Sequence, residues 1–312
     1  MYSQGLVTVS NIRQFIREVL SRSGVVKRPI VEAWVGTESQ WTGMSVDQMF
    51  REMDRFKRNT WIFFDTETTG LKPGSAQITE IAAVAVNPHG FRESSDILGT
   101  FNMKSNFTEE TLDIIQKQRE LPDEEKEEMK RKRRMSVPEI LSMTRHGVKR
   151  SEFDKSFKTD EMSLIEGFID FVESYPNPML VIQNADFDVP FTVNRYEKYG
   201  GDSQRILKLP VLDTKVIIQM FLIPTLKELA GPPTGDREAQ ALLKKMYVQR
   251  GQGGYHSASQ GVVSQAYGIS ADEWHSAIAD VKMMMEMLRK VMESLEMGRG
   301  LDIDRHRKKR RK

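Results

Sequence analysis

The apolar positions of this chain change period several times, and each change marks an element. Near the start, Ile12, Phe15, Ile16, Val19 and Leu20 recur at i, i+3, i+4, i+7 and i+8. That is a helical stripe, with Ser10 placed to cap it and Gly24 to stop it. A second stripe of Val46, Met49, Phe50 and Met53 follows Ser45, and Gln48 completes a capping-box pattern. Both faces need burial, against the body of the protein or against a partner. From Trp61 the helical period is lost. Trp61-Ile-Phe-Phe64 is a short apolar run suited to a buried central strand. After a turn at Leu71-Lys-Pro-Gly74, Ile78–Val86 reads as its neighbour.

Residues 107–150 read as helical and charged, acidic over Asp123–Glu128 and basic over Lys130–Arg134. That order suits a surface helix with Glu127/Arg131 and Glu128/Lys132 at i,i+4. Met162–Tyr175 is amphipathic through Leu164, Phe168, Phe171 and Val172, and Met179-Leu-Val-Ile182 is a third buried strand. Residues 227–256, rich in Gly, Pro and Gln, read as a loop-like insertion. Ala271–Met297 reads as a long helix ending at Gly298. The run Met283-Met-Met-Glu-Met287 on it is expected to be adaptable core packing. Phe187, Phe191 and Tyr196 are expected in the core rather than stacked on bases.

Composition narrows the class. At 312 residues with 29% charged positions the chain has room for a large core, and it contains no cysteine. Disulfides, thiolate-held zinc and a cysteine nucleophile are therefore excluded. The longest apolar run is six residues, Ile81–Val86, far short of the roughly 20 that span a bilayer. Met1-Tyr-Ser-Gln-Gly lacks the order of a secretory signal, so cytoplasm and no membrane partner are the expectation. Net charge is +2, but seven of the last eight residues are Lys or Arg; without them 39 basic residues face 44 acidic ones. A mildly acidic body with a basic tail suits a polyanionic partner or a solvated tail.

Three segments carry candidate chemistry. In Phe64-Asp-Thr-Glu-Thr-Thr-Gly70, Asp65 and Glu67 stand two apart at the end of a strand and so share one face. Such a pair repels itself unless a cation lies between, and hard oxygen donors suit Mg²⁺ or Mn²⁺. In Val181-Ile-Gln-Asn-Ala-Asp-Phe-Asp188, Asp186 and Asp188 are both candidates for a third carboxylate. In Trp274-His-Ser-Ala-Ile-Ala-Asp280, His275 suits a lead-in turn and Asp280 the first turns of a helix, although Ser270 and Glu273 could start that helix earlier.

Together these segments resemble the DEDDh branch of the DEDD exonucleases, the DnaQ-like 3′→5′ exonucleases. Asp65–Gly70 is similar to the family's D-x-E-T-T-G, and Ile78-Thr-Glu-Ile-Ala82 to its I-x-E-I-A. Gln183–Asp188 is similar to H-N-A-x-F-D with Gln183 in place of histidine, and His275 to Asp280 matches H-x₄-D. Ile140–Thr144 and Leu212-Asp-Thr214 also lie where similar family segments lie, and the likeness runs over about residues 60–292. It implies an α/β, ribonuclease H-like fold: a mixed central sheet flanked by helices. The small N-terminal helical extension, residues 1–59, lies outside the likeness. The exonuclease domain would be 60–297, with 107–150 and 227–256 as variable insertions and 298–312 as a basic tail.

The resemblance assigns Asp65, Glu67, Asp188 and Asp280 as ligands of two divalent cations, Mg²⁺ or Mn²⁺, and His275 as general base. It also implies that Thr68, Gly70 and Leu71 meet the substrate, Leu71 as a wedge against the terminal base. The implied activity is release of nucleoside 5′-monophosphates from 3′ ends. DNA is favoured, because the chain resembles stand-alone bacterial and phage exodeoxyribonucleases. An exoribonuclease, or a proofreading or scaffold nucleic-acid-binding subunit docked through residues 1–59, are the alternatives.

Overall fold

The computed structural model describes residues 41, 43–87, 96–113, 122, 124–125, 159–250, 253–270, 276–301 and 303. A five-stranded mixed sheet forms its centre, in the order β3-β2-β1-β4-β5. Strands β1 (Thr60–Thr68), β2 (Ile78–Val86) and β3 (Ile97–Lys104) form an antiparallel meander. Strands β4 (Pro178–Ile182) and β5 (Val211–Asp213) add in parallel on the other side of β1. Every residue of β2 is buried, as its unbroken apolar sequence requires of a strand covered on both faces.

Alternation along β1 sorts the core into two layers. Trp61 and Phe63 point into a cluster shared with α1 (Val46–Arg55), α6 (Ile223–Ala230), α7 (Arg237–Met246) and α9 (Ala277–Met297). Ile62 and Phe64 point into the opposite cluster, with α2 (Glu161–Glu173) and α3 (Ala185–Lys198). Three short helices also belong to the described residues: α4 (Gln204–Leu207), α5 (Thr214–Ile217) and α8 (Gln260–Ala266). A π-helical turn at Ile218–Leu222 joins α5 to α6.

The second apolar stripe forms α1, and Ser45 and Gln48 close the capping box at its start. Its Val46, Met49, Phe50 and Met53 are buried in the body of the protein. Arg299 lies over the Phe50 ring at 4.1 Å, and the Gly300 N–H donates to Asp47 at 3.1 Å, fastening α1 beside the end of α9. The stripe of Ile12–Leu20, the charged segment's basic run and the basic tail lie outside the described residues.

Two expectations need correction. Residues 227–256 are not a loop. They hold the end of α6, α7, and a hairpin of β6 (Tyr247–Arg250) and β7 (Gly253–His256). Asp236 caps α7 by accepting from the Ala239 N–H at 2.7 Å, and Ala239, Leu242 and Met246 seat it in the core. The Gly and Pro residues gather at its two ends and hide that stripe. The long helix also begins later than Ala271. Ser276 is extended, its hydroxyl accepts from the Ala279 N–H, and the helix starts at Ala277. The Met run is core as expected: Met283, Met284 and Met287 are buried. Phe191 and Tyr196 are buried too, and Phe187 packs against Phe191 at 5.3 Å. Among the described residues no helix is long and apolar enough to cross a membrane.

Candidate metal centre

β1 runs on to Thr68, so Asp65 and Glu67 lie within the strand rather than just past it. They continue the series Trp61, Phe63 and therefore face the α9 layer. Asp280, on the first turns of α9, comes to them from that layer. One carboxylate oxygen from each of Asp65, Glu67 and Asp280 lies within 4.8 Å of the other two, and all three residues are half-buried. Gln260 fixes the α9 end of this group, its amide donating to the Asp280 carbonyl at 2.7 Å.

Asp188 arrives from the opposite layer, on α3. Pairing between β1 and β4 ends at Phe63 and Val181, which leaves the Thr66 N–H beyond the ladder. The Asp188 carboxylate takes it, Oδ1 accepting from Thr66 N at 3.2 Å and from Thr66 Oγ1 at 2.6 Å. Thr66, between the two acids and on the other face, is thus the link between the layers. The sequence leaves Asp186 and Asp188 open, and burial separates them: Asp188 is buried and Asp186 exposed.

The charges are held against their inclination. Burial, and then Asp188, Glu67, Asp280 and Glu80 in that order, push the Asp65 carboxyl well above its ordinary range. Burial pushes Asp188 up to about 7, against the opposing pull of its Thr66 bonds. Each group would shed this penalty on meeting a cation. The donor set is all hard oxygen and fits Mg²⁺ or Mn²⁺.

Glu80 extends the cluster. In β2 it lies directly opposite Glu67, and Lys104 of β3 lies opposite Glu80. One Glu80 oxygen pairs with Lys104 Nζ at 3.3 Å, while Oε1 is buried with no hydrogen-bond partner among the described residues. A glutamate inside the apolar run Ile78–Val86 was the available sequence signal for it. The register slips next to this pair, between Glu67 and Thr68, and the extra residue Thr79 donates its hydroxyl to the Glu67 carbonyl.

Two further groups brace the site. Asp213, at the end of β5, accepts from the backbone N–H groups of Asn184, Ala185 and Lys215 at 3.1, 3.1 and 2.9 Å. Asn184 sits in the left-handed region with φ 71°, and its side chain accepts from Lys215 Nζ at 2.6 Å. Together they fix the turn that launches α3 and Asp188. Gln183 bridges Thr214 Oγ1 and the Ala258 carbonyl, a bracing role in the place where the motif usually has histidine.

The second brace is a buried ion pair, Glu161–Arg195. Glu161 also accepts from the Ile78 N–H at 2.7 Å and the Tyr199 hydroxyl at 2.6 Å. Spacing gave no sign of this pair, because its partners are distant in sequence.

Thr68 is buried, its hydroxyl donating to the Gly70 carbonyl at 2.9 Å, and Gly70 is buried beside it. Leu71 is 63% exposed. His275 lies outside the described residues.

No protein-family model and no curated protein matches this chain. Solved structures do. The structure of E. coli Exonuclease I in complex with a dT13 oligonucleotide matches at TM-score 0.50 and 16% identity, covering 77% of this chain and 42% of that one. Its complex with a dA16 oligonucleotide matches at TM-score 0.47 and 15% identity, covering 76% and 42%. The chain therefore spans less than half the length of these structures, and it shares the fold of the first, the mixed sheet flanked by helices expected of a ribonuclease H-like protein.

Proposed function

We propose that this chain is a metal-dependent 3′→5′ exonuclease of the DEDDh kind, hydrolysing phosphodiester bonds at DNA 3′ ends to release nucleoside 5′-monophosphates. The observation that carries this reading is the meeting of Asp65, Glu67 and Asp280 within 4.8 Å at the sheet, with Asp188 brought to Thr66 from the other layer. The shared fold with an exonuclease that binds dT13 supports it, as do the motif residues, in order along the chain.

Asp65, Glu67, Asp188 and Asp280 would hold two divalent cations. When bound, such ions activate water and stabilise the charge that develops on the phosphoryl oxygens and the leaving 3′-oxygen. The chain's own residues do the rest. Thr66 holds Asp188 in place, while Glu80 and Lys104 stand behind Glu67. His275, next to the cap of α9 in sequence, takes the proton of the attacking water, a role suited to a group titrating near neutrality. Gly70 and Thr68 shape the buried turn after β1, and exposed Leu71, next along the chain, packs against the base of the terminal nucleotide. Residues 60–297 form the nuclease unit in this reading.

Matched 5′-labelled DNA and RNA oligomers in Mg²⁺ or Mn²⁺ test the proposal. Shortening of DNA from the 3′ end, lost by several orders of magnitude in Asp65→Ala, is the expected result. Absence of hydrolysis by wild type on any oligomer would sink it, and faster shortening of RNA would reassign the substrate.

A further inference from the structure

The hairpin β6–β7 has a composition unlike the rest of the chain. From Ala239 to Ala271 no Asp or Glu occurs, in a chain that holds 44, while Lys244, Lys245 and Arg250 fall in that stretch. Tyr247 and Tyr255, one on each strand, are 46% and 48% exposed. A two-stranded ribbon has no core of its own, so the exposed halves of these rings are open to a ligand.

The Tyr247 ring has a defined seat. A Cβ built on Gly254 would come within 2.3 Å of its Oη and Cζ, so the ring lies across the glycine of the facing strand. His256, directly opposite, meets it edge-on at 5.6 Å. A ring supported on one face by bare backbone and half-exposed on the other is a platform for a flat apolar partner. Tyr255 pairs with Val248 on the opposite face of the ribbon, so the two rings flank it. Arg250, the last residue of β6, and Lys244, three residues before Tyr247 on α7, are also exposed.

The base of the hairpin is tied to the carboxylate site. The Ser257 N–H donates to the Met246 carbonyl at 2.9 Å, closing the ribbon. Next to it the Ala258 carbonyl holds Gln183, and two residues further Gln260 holds the backbone of Asp280. Four residues of strand carry the ribbon about 13 Å from that base.

We infer that the β6–β7 hairpin is an arm that grips single-stranded nucleic acid running into the carboxylate site, with Tyr247 and Tyr255 stacking on bases and Arg250 and Lys244 meeting phosphates. Exposed aromatic rings interleaved with basic side chains, and free of acidic ones, are what an unpaired strand with bare bases and a charged backbone requires. The inference rests on the nuclease reading and deepens it.

Binding separates the two. Full-length protein is titrated in EDTA against a fluorescein-labelled 20-mer of thymidylate at several salt concentrations, so that hydrolysis plays no part. Tyr247→Ala and Tyr255→Ala should each raise Kd about tenfold, and the Phe variants should keep wild-type affinity. Arg250→Ala should lower the salt slope by about 0.7. In Mg²⁺, KM for the same oligomer should rise with Kd. Wild-type affinity in both Ala variants, or equal loss in the Phe variants, would overturn the arm even if hydrolysis is normal. Tighter binding of a duplex than of the 20-mer would overturn the single-strand assignment. If the wild type hydrolyses no oligomer, the nuclease reading fails while the EDTA titration still decides the hairpin.

Discussion

Asp188 shows how a single side chain links charge to stability. Its carboxyl is pushed from an ordinary 3.8 to about 7 by burial, and burial raises Asp213 to about 6. Both hold their protons more tightly folded than unfolded. Between about pH 4 and pH 7 the folded state therefore binds more protons, and stability falls as pH rises. Thermal melts in EDTA should show this decline, and Asp188→Asn should flatten it and melt higher than wild type at pH 8. An equally steep decline in the variant would show that the titration lies elsewhere. Asp65→Ala should also fold and melt no lower than wild type without metal, since it removes repulsion. Glu80→Gln keeps the shape behind Glu67 but removes a charge, and is expected to weaken Mn²⁺ binding about tenfold by calorimetry. Asp65 and Glu67 are legible in sequence because a period of two forces them onto one face. The braces Thr66, Glu80 and Asp213 were visible only as letters inside motifs, because their work depends on which strand lies beside them.

Elements differ in how much of themselves they announce. The α1 helix was legible from its cap and stripe, and only its partner was open. Met49 lies fully buried in the body, so Met49→Ala should lose about 2–5 kcal/mol in urea unfolding. A change under 1 kcal/mol would mean that α1 is not part of the cooperative unit. In sequence the α7 helix and its hairpin look like loop, since Pro and Gly at the flanks outweigh a short stripe. Asp236→Ala should cost about 1 kcal/mol through loss of the cap, and should leave the Asp65–Asp280 end of the sheet intact by Mn²⁺ titration. The start of α9 differs from its sequence signal because Ser270 and Glu273 spell a capping box, whereas Ser276 makes the observed cap. β3 has no legible signal: as an edge strand it mixes Gly99, Asn102 and Lys104 with exposed Ile97 and Leu98, and so carries no clean period.

At the scale of the whole molecule, carboxylates buried side by side cost stability, which a bound cation would restore. Mn²⁺ at 100 times its dissociation constant should add about 2.7 kcal/mol per site by mass action. Asp65→Ala should lose that gain, and a melting temperature indifferent to Mn²⁺ in wild type would remove the metal assignment. The fold was legible because its strands are apolar and its motifs lie in order. Sheet order was not, because which strands become neighbours is set by packing that no local pattern records.

Thr66 is the narrow bridge between the two layers, carrying Asp188 from one to acids that belong with the other. If the chain is the nuclease proposed above, its hydrolysis would gauge how well the layers stay in step. A slight slip of α3 against the sheet, too small to melt either, would part Asp188 from its companions. Low urea should then abolish the proposed hydrolysis before circular dichroism registers any loss of helix, and Thr66→Val should widen the gap between the two midpoints. Coincident midpoints in both proteins would mean that the layers come apart only when the whole molecule does.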